Sequence, residues 1–342
     1  MYYEISVYCK ELPRIRNLDP GIFLCYKYIW IFAYFRHQPV FAPRKKMGHT
    51  FYIVGIFSGA CGTGGVVTPL RLPIFISYTY QAMLRTRFKK DIVCEFIPSS
   101  KPSHKVIILA HGIPGVPKAN ETMEFWSRKG FWVFFPRYRG TWESGGEFLK
   151  HSPEKDILDV IDGIGKGFLD LWSGAVFHIP NSIFYIFGGS FGGPAAILCS
   201  RDPRVTKAVA FAPVIDWKAP SDEPMDQLGA FIPKGFGNSY RFSKKNWNRL
   251  SRNEFYSPVS LLSSPPFPRG SAESSRRGGR NFDGKKLLIF HAKDDTCVPF
   301  SYTKKFAQKT GSKLITLRTG GHFGFNKSIE PKVYKEIKKF IS

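Results

Sequence analysis

Residues 183–193 of this 342-residue chain read Ile-Phe-Tyr-Ile-Phe-Gly-Gly-Ser-Phe-Gly-Gly, and few backbones accept such a run. The five apolar residues from Ile183 to Phe187 predict a short buried strand, and Pro194 to Ser200 can continue directly as a helix. Between them stands Gly188-x-Ser190-x-Gly192, the pattern of a strand-to-helix turn that holds a serine hydroxyl exposed above a sheet. Such a serine has a strained backbone, and a Cβ two residues to either side would collide with the neighbouring strand or helix. A glycine-rich βα turn with a merely solvated serine is the plainer alternative. The strand before and the helix after favour the nucleophile.

The chain around this turn alternates. Asp91–Ile97, Lys105–Ala110, Phe131–Phe135, Lys207–Ala212, Lys286–Phe290 and Lys313–Leu317 are predicted strands. Asn120–Lys129, Ser301–Lys309 and Pro331–Ile341 are predicted helices, and another is expected to start with Ser152 as N-cap and Pro153 in its first turn. Strands alternating with helices imply a mostly parallel, doubly wound α/β sheet covered on both faces, whose ligands sit beyond the carboxyl ends of the strands. His111, Ser190, Asp295 and His322 all follow predicted strands, so they are expected on one edge of that sheet.

Residues 213–283 interrupt the alternation. Their first part, through Ser257-Pro258, is rich in Trp, Phe, Pro and Gly and suits a small helical cap over a pocket. Residues 263–280 are Ser, Pro, Gly and Arg with almost no aliphatic side chain, and disorder is expected there. Residues 1–82 show no period and are read as an extension to a catalytic domain over 83–342, with Met83 as a natural start. Ile22 to Phe35 is apolar apart from Lys27, shorter than the roughly 20 residues that span a bilayer. Gly59 to Gly65 lacks the Gly-Lys-Ser/Thr ending of a phosphate loop.

The net charge of +24 raises the question of a polyanionic partner, but the basic residues are scattered and no nucleic-acid recognition pattern accompanies them. No specific nucleic-acid partner is therefore expected. The six cysteines form no C-x-x-C pair and no ligand cluster with histidine, so no metal and no cofactor are expected. A disulfide framework is out of character for so long a chain. The expected location is cytoplasmic, with membrane association through residues 22–35 as the alternative.

A serine hydroxyl becomes a useful nucleophile when a histidine takes its proton and a carboxylate fixes that histidine. In a strand-turn-helix site the order along the chain is Ser, Asp or Glu, His. Of eight histidines only His322 follows Asp294 and Asp295, on the glycine-flanked loop Thr319-Gly320-Gly321-His322-Phe323-Gly324. Successive residues point in different directions, so one of the two carboxylates faces His322. Asp295, separated by two residues from Val298-Pro299, is preferred; Asp294 is the alternative acid and otherwise braces a loop or caps a helix. An oxyanion would need backbone donors, and the amides of Phe191 and Ile113 fit, since Pro114 has none to give. The His111 ring is expected to brace its loop by a hydrogen bond.

The Gly188-Gly189-Ser190-Phe191-Gly192-Gly193 turn, Tyr138-Arg139-Gly140, Ser257-Pro258 and Asp295-x-x-Val298-Pro299 together resemble the catalytic domain of the prolyl oligopeptidase family, within the α/β-hydrolase superfamily, over Phe88 to Ser342. The resemblance implies a serine hydrolase of peptide or ester bonds, with Ser190 as nucleophile, Asp295 as acid and His322 as base. That family usually carries a large β-propeller, which some 80 residues cannot build. Its small stand-alone relatives are often esterases, so a carboxylesterase or acyl hydrolase is the alternative. A non-catalytic binding protein of the same fold is the alternative of another class.

Overall fold

The computed structural model describes residues 83–262 and 282–342; the readings for residues 1–82, including the apolar run 22–35, and for 263–280 lie outside the described residues. The first strands are β1 (Leu84–Phe88), β2 (Ile92–Ile97), β3 (Lys105–Ala110) and β4 (Trp132–Pro136). A small hairpin of β5 (Phe168–Leu169) and β6 (Val176–Phe177) follows. The remaining strands are β7 (Ile183–Gly189), β8 (Val205–Phe211), β9 (Leu287–Ala292) and β10 (Lys313–Leu317). Apart from the hairpin they form one 8-stranded sheet in the order β1-β2-β4-β3-β7-β8-β9-β10. β2 runs antiparallel to β1 and β4, and every other neighbouring pair is parallel.

The central strands read as continuous apolar runs because both faces of the sheet are covered. Alternate residues of β3 separate accordingly. Val106, Ile108 and Ala110 join one core with Ile157, Val160, Ile161 and Ile164 of helix α2 (Glu154–Lys166). Ile107 and Leu109 join the other, with Met123 and Trp126 of α1 (Asn120–Arg128). α3 (Gly192–Cys199) lies in the first layer, its Ala195, Ala196 and Ile197 fully buried. Between β8 and β9 the chain forms α4 (Met225–Phe236) and α5 (Lys244–Ser251). α6 (Phe300–Thr310) and the amphipathic α7 (Pro331–Ile341) complete the layers. No helix among the described residues is long and apolar enough to cross a membrane.

Two local expectations change. Ser152 is not a side-chain cap: α2 starts at Glu154 after Pro153, and the Ser152 hydroxyl donates to the Glu154 carboxylate instead of receiving a backbone N–H. A carboxylate is the stronger acceptor, so it captures the hydroxyl proton. β1 was not foreseen as a strand. Its Arg85 and Arg87 break the apolar pattern, because β1 is an edge strand paired on one side, where Arg85 meets Glu95 of β2.

Candidate active site

Ser190 stands where β7 ends and α3 begins, with φ of 54°. A non-glycine residue pays in strain for that left-handed conformation, roughly 1–2 kcal/mol. Three backbone hydrogen bonds hold it there, from the Ser190 amide to the Phe211 carbonyl at 2.8 Å and from the Gly193 and Val214 amides to the Ser190 carbonyl at 2.9 and 3.4 Å. The flanking glycines are required by contact. A Cβ on Gly188 would lie 2.0 Å from the Gly192 carbonyl oxygen, and one on Gly192 would lie 2.0 Å from that of Ala110. Helix and strand therefore approach at a distance only glycine allows.

The structure brings Ser190, His322 and Asp295 together although they are far apart in sequence. Ser190 Oγ is 2.8 Å from His322 Nε2, and His322 Nδ1 is 2.9 Å from Asp295 Oδ2. The Asp295 side chain is fully buried, while that of His322 is 26% exposed, which leaves the ring open to a substrate. Burial opposes ionisation of Asp295, but hydrogen bonds from His291, His322 and the Val298 amide outweigh it and hold the carboxyl well below the usual carboxylate range. An ionised carboxylate only accepts, so His322 Nδ1 carries the proton and Nε2 is left to accept from the serine hydroxyl. Asp294 points elsewhere: its oxygens accept from the Gly320 and Gly321 amides at 3.1 and 2.9 Å and brace the loop that carries His322.

His291 was not among the residues singled out from sequence. It is fully buried at the end of β9, with Nε2 at 3.1 Å from Asp295 Oδ2 and 2.9 Å from the Val298 carbonyl. A carbonyl cannot donate, so Nε2 carries a proton. Nδ1 lies 2.9 Å from Thr303 Oγ1, which can donate to it. One signal for this was present: a histidine inside an otherwise apolar strand, four residues before a candidate acid.

The backbone of Gly112 and Ile113 lies against the serine. A Cβ on Gly112 would sit 3.2 Å from Ser190 Cβ and 3.3 Å from the Gly189 carbonyl oxygen. None of the described backbone hydrogen bonds outside helices and strands uses the amide of Ile113 or of Phe191. Phe191 is the N-cap of α3, so its amide stands at the positive end of that helix. The His111 ring donates from Nδ1 to the Gly112 carbonyl at 3.0 Å, the bracing role expected for it, and burial lowers its pKa to about 4.

Two depressions meet at Ser190 and His322. One is a narrow pocket with an apolar wall of Val214, Ile215, Trp217, Met225, Leu228 and Trp247, to which Asp216 and Glu223 add carboxylates. The other is an open cleft of about 900 Å³, where Lys118, Asp222, Gln227 and Asn326 supply polar surface. Among the described residues no group of three or more His, Cys, Asp or Glu side chains is arranged to hold a metal ion.

A mostly parallel sheet flanked by helices, with a serine at a strand-to-helix turn, is the architecture of an α/β hydrolase, and the protein is a serine hydrolase of that class. More narrowly, the chain belongs to the prolyl oligopeptidase family, which it matches over residues 117–342. In fold it is similar to an esterase of Pyrococcus furiosus, at 14% identity over 76% of this chain and 88% of that one, with a TM-score of 0.52. It is also similar to the ferulic-acid-bound esterase Est1E of Butyrivibrio proteoclasticus, at 15% identity over 75% of this chain and 99% of that one, with a TM-score of 0.49. Against an acylaminoacyl peptidase of Pyrococcus horikoshii the identity is 16% and the TM-score 0.49, over 85% of this chain and 45% of the peptidase. At 14% identity the likeness to the Pyrococcus furiosus esterase shows the fold alone. No curated protein matches the chain.

Proposed function

We propose that Ser190, His322 and Asp295 form a catalytic triad that hydrolyses peptide or ester bonds through an acyl-enzyme. The observation that carries this reading is the continuous line of contacts from Ser190 Oγ to His322 Nε2 at 2.8 Å and from His322 Nδ1 to Asp295 Oδ2 at 2.9 Å. As Ser190 Oγ attacks the carbonyl carbon, its proton passes to His322 Nε2. Asp295 stabilises the imidazolium, which then protonates the leaving group. Water repeats the sequence on the acyl-enzyme and frees Ser190. The tetrahedral oxyanion is received by the amides of Phe191 and Ile113.

The apolar wall of the pocket beside Ser190 suits an apolar side chain on the acyl side, and the open polar cleft leaves room for a peptide-sized remainder. Membership of the prolyl oligopeptidase family favours a peptide substrate, with a carboxylic ester as the second substrate class. The free thiols of Cys94, Cys199 and Cys297 fit a reducing, cytoplasmic location. A panel of acyl esters and aminoacyl amides, offered to the full chain and to its Ser190→Ala variant, tests the reading. Turnover that vanishes with Ser190→Ala is expected. Turnover that survives the substitution overturns the triad.

A further inference from the structure

Two of the sequence motifs stand outside the triad: Tyr138-Arg139-Gly140, and Ser257-Pro258 with the Tyr256 that precedes it. Both deliver a tyrosine to the same buried place. Tyr138 and Tyr256 are 0% and 3% exposed. The Tyr138 hydroxyl donates to the His111 carbonyl at 3.2 Å, and the Tyr256 hydroxyl donates to the Phe191 carbonyl at 2.6 Å. Burial raises both hydroxyls well above the ordinary tyrosine range, so both remain donors at any physiological pH.

The carbonyls they hold belong to the two segments that present the proposed oxyanion amides. Phe191 carries one amide itself. His111 stands two residues before the Ile113 amide, with only Gly112 between them. The two hydroxyls thus hold the loop after β3 and the start of α3 from the buried side, behind the backbone that faces the substrate depressions. We propose that Tyr138 and Tyr256 are positioning residues that fix the separation and direction of the Ile113 and Phe191 amides. This rests on the triad reading above, because it assigns those amides to the oxyanion.

The backbone around Tyr256 supports a task beyond filling space. Tyr256 has φ of 51°, a conformation that a bulky L-residue adopts only where its surroundings impose it. The surroundings here do so. The Trp217 indole donates to the Tyr256 carbonyl at 2.7 Å. Asn253 Oδ1 accepts from the Ser257 hydroxyl at 2.8 Å and from the Trp217 amide at 2.9 Å. The strained residue is clamped from behind while its hydroxyl reaches forward to the Phe191 carbonyl. Its ring packs on Phe191 at a centroid distance of 5.0 Å, and that of Tyr138 on His111 at 4.5 Å. A phenylalanine would keep this packing and remove only the hydroxyl.

The test therefore uses Tyr138→Phe and Tyr256→Phe in the full chain, with kcat expressed per active site titrated by an ester burst. A trifluoromethyl ketone, whose hemiketal oxyanion occupies the same place as that of the intermediate, supplies a second readout. The expected result is a loss of about tenfold in kcat per site for each variant, with KM within about twofold. Ketone affinity weakens by the same factor as kcat/KM. The double variant loses less than the product of the singles, since both hydroxyls act on the geometry of one pair of amides. The inference is overturned if both single variants keep kcat per site within twofold of wild type, whether or not their melting temperature or number of titratable sites falls. It is equally overturned if kcat drops with no change in ketone affinity. Wild-type protein without any turnover would instead remove the triad reading on which the inference stands, so the two failures are distinguishable.

Discussion

His291 donates from Nε2 to Asp295 Oδ2 at 3.1 Å, and neither side chain has any exposed surface. The same oxygen receives His322 Nδ1, so one carboxylate lies between two imidazoles, one buried and one open to substrate. His291 is among the causes that keep Asp295 ionised. Removing it, as in His291→Leu, returns electron density to the carboxylate and makes it a better partner for the His322 imidazolium. The acidic limb of the kcat/KM profile should move up by about half to one pH unit, since a lost hydrogen bond of about 1.5–3 kcal/mol shifts the carboxylate itself by roughly one to two units and reaches the His322 imidazolium only in part. His291→Gln, whose amide can donate along the same direction, should restore most of the wild-type profile. A limb that stays in place in His291→Leu would show that Asp295 is set without His291.

The two neighbouring carboxylates should separate sharply on substitution. Asp295→Asn replaces an acceptor-only carboxylate with an amide that can donate to His322 Nδ1 and select the wrong tautomer, and kcat should fall by about 10³–10⁴. Asp294→Asn keeps an oxygen for one of the Gly320 and Gly321 amides and should cost no more than about tenfold. Steady-state kinetics of both variants on one ester checks this, and a larger loss at Asp294 would reverse the assignment.

Much of this site was legible because strand ends and glycine turns leave sequence traces. Ser190 announces itself through Gly188 and Gly192, whose missing side chains make way for the Gly192 and Ala110 carbonyls. The order along the chain singled out His322, and the spacing before Val298-Pro299 favoured Asp295. His291, Thr303, Tyr138 and Tyr256 were not legible as a group, because each acts through a hydrogen bond to a residue distant in sequence or to a backbone carbonyl. Periodicity does not record such partners. The same limit applied to β1, whose arginines answer to Glu95 on the neighbouring strand, and to the two-residue strands β5 and β6, too short to carry a period.

Acid should weaken the fold in a way that His111 makes measurable. Its folded pKa of about 4 lies below the value of about 6.5 expected for an unfolded histidine. Between these values the unfolded chain binds the extra proton, so stability falls as pH drops from about 6.5 to 4, by roughly 3 kcal/mol in all. The depressed carboxyl of Asp295 acts lower down: its contribution is present above the unfolded carboxylate pKa of about 3.9 and is lost as pH falls through the lower folded value. Urea unfolding of wild type and His111→Gln at pH 7 and pH 4.5 isolates the histidine. The variant should show the shallower decline. Parallel declines would mean that His111 is not held neutral in the fold.

The central claim is that Ser190 is an activated nucleophile, and covalent labelling of the full chain with a fluorophosphonate probe tests it most directly. The account predicts rapid labelling of wild type, none of Ser190→Ala, and strongly slowed labelling of His322→Ala, whose serine has lost its base. A well-folded wild-type protein that resists the probe, or a Ser190→Ala variant that still takes it up at the wild-type rate, would contradict it.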